Sequence, residues 1–81
     1  MSYGYSLRVI QLNKKTSARS LGVKLGRICI KLGVPVAEVA SDLNVSRQTV
    51  YNWFTGVNQP SKQTAEEISE LIALYQSDYQ R

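Results

Sequence analysis

Arg47, Gln48, Tyr51 and Asn52 are long or forked hydrogen-bonding side chains set close together in the sequence. At spacings of one, four and five residues they share one side of any helix that carries them, while Val50, Trp53 and Phe54 take the other. A guanidinium, two carboxamides and a phenol are groups suited to the edges of base pairs. An α-helix fits the major groove of duplex DNA, where Arg pairs well with guanine and Gln or Asn with adenine. Tyr51 can stack on a sugar, touch a thymine methyl or bond a phosphate, or it can pack inward. No acid lies on that face, and a helix N-terminus adds backbone donors and partial positive charge.

Little else in the chain could do chemistry. Histidine is absent, which removes an imidazole base, a Ser-His-Asp or Cys-His pair and a His-ligated metal. A single cysteine, Cys29, excludes a disulfide framework and a cysteine zinc site within one chain. It falls on an apolar helical face and reads as an inert thiol. Glu66, Glu67 and Glu70 crowd one helix start without a convergent base or a glycine-rich phosphate loop, so capping and solubility explain them. Neither an enzyme nor a cofactor is expected.

The 81 residues are 43% hydrophobic and 20% charged, the balance of one small globular domain. Apolar runs are too short to span a membrane. The first fifteen residues lack the features of a signal peptide, so the cytoplasm, of a bacterium or a phage-infected host, is the expected address. The net charge of +4 is unevenly placed. Residues 1–34 hold Arg8, Lys14, Lys15, Arg19, Lys24, Arg27 and Lys31 with no acid. Residues 35–81 hold all six acids against Arg47, Lys62 and Arg81. Such polarity suits a polyanion on one side and solvent or a second subunit on the other.

The elements that must position the four side chains follow from periodicity. Tyr3, Tyr5, Leu7 and Val9 alternate with Gly4, Ser6 and Arg8, which predicts a short strand or extended arm over 1–16. Tyr3 and Tyr5 then serve either a strand face or a dimer contact. Ser17 is the expected cap of a first helix from about Ala18 to Leu32, ended by Gly33 and Pro35. Its core face is Leu21, Leu25, Ile28, Cys29 and Leu32. Lys24, Arg27 and Lys31 form a basic stripe that reads first as a solvated face. Gly22 and Gly26 would let a neighbouring helix come close, and Val23 and Ile30 need a cover from the arm or a second copy. Helices are further predicted at Val36–Leu43, at Arg47–Thr55 (closed by Gly56), and from Ser61 or Thr64 onward. Thr64 with Glu67 makes a capping box, and Ala65, Ile68, Leu71, Ile72 and Tyr75 make the last apolar face.

Val36–Gly56 is the informative stretch. Val36, Val39, Ala40 and Leu43 form one helix face, with Ala40 small where two helices cross. Asn44 tolerates the left-handed turn. Val45 fills the corner, Ser46 caps the next helix, and Val50 and Trp53 face inward; Val45 and Val50 suit a hydrophobic staple.

With Ala40, Asn44, Val45-Ser46, Val50, Trp53, Gly56 and Pro60, the stretch resembles the helix-turn-helix DNA-binding domains of the phage Cro and cI repressor (XRE-like) class. The likeness extends in layout over Ala18–Tyr75 and is close over Val36–Gly56. It implies a mainly α, four-helix domain of the lambda-repressor-like type over 17–81, preceded by the arm or strand at 1–16. That family usually has a fifth helix, and it frequently opens the motif with Gln where this chain has Val36. The resemblance makes Arg47–Thr55 the recognition helix. It puts Arg47, Gln48, Tyr51 and Asn52 at base edges, and Ser46, Thr49, Asn58, Ser61 and Lys62 near phosphates. Lys14, Lys15 and Arg19 join the phosphate set, because the connection into the first helix often lies near DNA in this family.

The expected function is therefore a sequence-specific regulator of phage or prophage type that binds double-stranded DNA as a homodimer. Its dimer surface is open among Ile68, Leu71, Ile72 and Tyr75, the N-terminal arm, and Val23 with Ile30. Two other readings remain open. One is a small module that grips a host protein such as RNA polymerase. The other is an excisionase-like architectural DNA binder.

Overall fold

In the computed structural model, which describes residues 5–17 and 19–79, five helices follow one another. They are α1 (Leu7–Lys15), α2 (Leu21–Leu32), α3 (Val36–Leu43), α4 (Arg47–Phe54) and α5 (Lys62–Tyr79). Four of them answer the four predicted blocks. The fold is mainly α, of the helix-turn-helix type, and no strand occurs among the described residues.

The additional helix, α1, stands where a strand or arm was expected. Ser6 is extended and its hydroxyl accepts from the Val9 amide, so it acts as an N-cap. Val9, Ile10 and Asn13 then turn inward at helical spacing, while Leu7 and Leu12 point outward. Period two misled because Tyr5 precedes the cap and Leu7 is an exposed apolar residue. A strand here would also lack a neighbour to complete its hydrogen bonds, whereas a helix satisfies its own. Tyr3 lies outside the described residues. Tyr5 is in the core, with its ring centroid 6.0 Å from that of Phe54 and its hydroxyl 2.7 Å from the Val34 carbonyl it donates to.

Two capping expectations change as well. Ser20, not Ser17, caps α2 by accepting from the Gly22 amide, and Ser17 instead accepts from Arg19. At α5, Ser61 accepts from the Thr64 amide and takes the role assigned to Thr64 with Glu67. In both cases a hydroxyl placed to reach the amides of the first turn decides where the helix begins.

Helix α2 is the central post and packs against α1, α4 and α5. Leu25, Cys29, Val34, Val39, Val50, Phe54, Ile68 and Tyr75 are the most deeply buried members of the core cluster. Val23 is completely buried, so α1 supplies part of the cover that α2 required. Gly33 ends α2 in the left-handed conformation (φ 78°). Ile68, Leu71, Ile72 and Tyr75 are all buried within one chain. They are therefore not a free dimer surface, and neither is Val23.

Candidate nucleic-acid interface

The turn between α3 and α4 sets the site. Asn44 adopts φ 56°, ψ 49°, the one positive φ outside glycine among the described residues. Its amide donates back to the end of α3, as does that of Val45, which reaches the Ala40 carbonyl at 3.0 Å. The chain turns over Asn44 and Val45, and Ser46 starts α4 by accepting from the Thr49 amide at 3.1 Å.

Helix α4 is held from behind at very close range. A Cβ added at Gly22 would lie 2.8 Å from the Cβ of Trp53, and one at Gly26 would lie 2.8 Å from Cγ of Phe54. The absence of a side chain on this face of α2 lets Trp53 and Phe54 sink against its backbone. Both are core residues, together with Val50.

The outer face of α4 is what this packing leaves uncovered. Arg47 and Gln48 are exposed, and Tyr51 and Asn52 are half-buried. Tyr51 packs partly against the core, so it has both a buried edge and a free one. The Gln48 Nε2 donates to Asn52 Oδ1 at 3.0 Å, tying the two carboxamides into one unit. None of the four is enclosed by the rest of the chain.

Of the residues expected near phosphate, Ser46 and Thr49 lie in the first part of this helix and Asn58 lies just beyond its end. At its start, the Ser46 and Thr49 hydroxyls share one hydrogen bond of 2.9 Å, which leaves the other hydroxyl proton free to donate outward. At its finish, Gly56 has a positive φ, and the Val57 and Asn58 amides turn back to the Asn52 carbonyl, which sets Asn58 beside the helix end. The connection from α1 to α2 meets this same end. The Thr16 hydroxyl donates to the Thr55 carbonyl at 3.2 Å as well as to Leu12, and its methyl fills the space beside Gly56. Lys14, Lys15 and Arg19 flank Thr16 and are exposed. Ser61 and Lys62 are exposed at the start of α5, with the Ser61 hydroxyl donating to Thr64 at 3.0 Å.

Two supporting residues escaped the sequence reading. Asn13, which fell within the arm or strand expected over 1–16, is buried; its Nδ2 donates to the Phe54 carbonyl at 2.7 Å and the Val23 carbonyl at 3.1 Å. It joins α1 to both α2 and the end of α4. Its spacing from Val9 and Ile10 was the available signal. Arg27, grouped with Lys24 and Lys31, donates through one Nη2 to the carbonyls of Asn13, Lys14 and Thr16. It thus closes the C-terminal end of α1, where carbonyls lack partners and the dipole favours a cation.

Opposite charges remain apart. Among the described residues no lysine or arginine is drawn into an ion pair. Asp42 accepts from the Tyr75 hydroxyl at 2.7 Å, and Glu38 accepts from that of Tyr79. The bond to Glu38, helped by partial desolvation, pushes the Tyr79 hydroxyl up to about 12. Burial pushes the Cys29 thiol up to about 12, with the Glu38 charge adding to it, as befits a structural thiol. The described residues contain no group that could hold a metal ion and no helix long and apolar enough to cross a membrane.

Residues 23–75, more than half of the chain, match the family model described as helix-turn-helix. No curated protein and no solved structure matches the chain. Helix α1 lies outside the matched span.

Proposed function

The chain belongs to the helix-turn-helix family of the XRE type, as in Cro and cI, and on that premise we propose that it is a sequence-specific transcriptional regulator of phage or prophage type. It works in the cytoplasm and reads duplex DNA with α4 in the major groove. The observation that carries this reading is the outer face of α4. Arg47 and Gln48 stand free, with Tyr51 and Asn52 beside them, on a helix whose other side is locked into the core.

The dimensions support it. Eight residues make a helix about 12 Å long, comparable to the roughly 12 Å width of the major groove. Ser46 and Thr49 lie at its start, and Asn58, Lys14, Lys15 and Arg19 lie around its finish. Ser61 and Lys62 follow the loop. Phosphates on both banks of the groove therefore have partners while base edges lie between them. Cations that neutralise phosphates release counterions, so affinity falls with salt. One short helix reads only a few base pairs, and useful specificity comes from a homodimer on a near-palindromic site.

Selection of bound sites from random duplex DNA tests this proposal. The expected outcome is an enriched motif with two inverted half-sites about one helical turn apart. Recovery of unenriched sequence would reject specific readout, and a single unpaired half-site would reject the dimer.

A further inference from the structure

Away from α4 the molecule carries two surfaces that match one another. The first is a groove of about 300 Å³ between α1 and α2. Ile10 and Ile30 supply its apolar lining, and Lys14, Arg27 and Lys31 supply its charge. Arg27 holds the groove together through its bonds to the end of α1. The Lys14 and Lys31 side chains are exposed and have no acidic partner within the described chain.

The second surface is a ridge on α5. Leu74 stands 49% exposed at its middle. Glu67 and Glu70 precede it by two turns and one turn, and Asp78 follows by one turn, so all four share a stripe. Asp42 of α3 adds to the same side, where it lines a shallow recess with Glu67, Glu70 and Leu74. An apolar knob between carboxylates is the counterpart of an apolar groove between ammonium groups. A helix laid into a groove is also a common docking mode.

We propose that the α1/α2 groove of one molecule receives the Leu74 ridge of a second copy of this chain. The groove belongs to α1 and α2 and the ridge to α5 and α3, so each copy offers both surfaces at once. Engaged once per pair of molecules, the contact is heterologous, head to tail, and differs from the two-fold pairing on a palindromic site. One helix in one groove makes a small interface, so the contact is weak between free molecules. It becomes effective between copies held side by side on DNA, where the local concentration is high. The consequence is cooperative loading of neighbouring sites.

Sedimentation velocity of the full chain without DNA tests the contact independently of DNA recognition. The average mass is expected to rise with protein concentration and to fall back with added salt, since the matched charges are exposed. Lys31→Glu and Glu70→Lys should each weaken association by about tenfold or more, because each sets like charges face to face. Leu74→Ser should weaken it with no change of charge. An equimolar mixture of the Lys31→Glu and Glu70→Lys proteins should recover association, because each restores the other's missing partner. All three positions are exposed, and circular dichroism verifies that the variants fold. A monomer at every concentration would overturn the proposal, as would a mixture no stronger than its components. Association lost in Glu70→Lys but intact in Lys31→Glu would overturn it in favour of an α5–α5 contact. Loss of DNA affinity in Lys31→Glu with association intact would overturn it in favour of a groove that faces phosphate.

Discussion

Arg47 and Gln48 occupy the first turn of α4, beyond the Ser46 cap, with their heads in solvent. Position and chemistry separate their expected roles from those of the lysines. Arg47→Ala or Gln48→Ala should weaken binding to the selected site by about 1–3 kcal/mol and relax sequence preference. Lys62→Ala or Lys15→Ala should weaken all sequences alike and flatten the salt slope by about one unit. Fluorescence anisotropy on matched and mismatched duplexes across a salt series distinguishes them. Unchanged discrimination in both Arg47→Ala and Gln48→Ala would remove α4 from base readout. The face itself was legible in sequence, because four long polar side chains at helical spacing opposite Val50, Trp53 and Phe54 have one consistent arrangement. The bond joining Gln48 to Asn52 was not predicted, although their spacing permits it, because the rotamers that make it are a property of the folded helix. Asn13 was equally hidden: an asparagine ordinarily reads as surface or turn, and its burial depends on two carbonyls supplied by distant helices.

Among the elements, α1 adds hydrogen bonds to the hold that α2 and α3 already have on α4. Tyr5, Asn13 and Thr16 connect the N-terminal segment to Val34, Phe54 and Thr55, three points that the helix-turn-helix motif alone leaves open. Asn13→Ala removes the donor shared by two buried carbonyls. It should destabilise the protein by about 1–3 kcal/mol, the cost of leaving buried polar groups without partners. For a domain of this size each kcal/mol corresponds to about 4–8 °C in the thermal midpoint, which calorimetry can follow. A midpoint unchanged in Asn13→Ala would show that α1 is not coupled to the core. The limits of α3 and α4 were readable to within a residue, because Asn44, Ser46 and Gly56 each have a local physical reason to stop or start a helix. The form of residues 7–15 was not. Alternating and helical patterns overlap over so short a run, and only a neighbouring face of α2 decides which residues turn inward.

At the scale of the whole molecule, the absence of histidine and the burial of phenols and a thiol set the response to pH. No histidine titrates near neutrality. Burial raises the Tyr5 and Tyr75 hydroxyls above their ordinary value, with the Asp42 hydrogen bond adding to the effect on Tyr75, and Cys29 rises for the same first reason. Each is thus a stronger acid in the unfolded chain than in the fold. Below the ordinary values of 9.0 for the thiol and 10.0 for the phenols, their contribution is fully present. As pH rises past them the unfolded chain loses protons first, and stability falls. Urea midpoints should therefore decline from about pH 9 upward as these groups begin to ionise in the unfolded chain. Stability held constant to strongly alkaline pH would contradict the burial of these side chains.

The amino-acid sequence by itself determined the helix-turn-helix, the outward polar face of its second helix, and the division between a basic first part and an acid-bearing second part. Each rests on neighbours within a few turns, where spacing and side-chain type suffice. Tertiary structure alone decided that residues 7–15 coil, that Ile68, Leu71, Ile72 and Tyr75 are consumed inside one chain, and that Lys14 and Lys31 share a groove. Those outcomes depend on which helices meet, and contacts between residues distant along the chain leave no periodic trace in it.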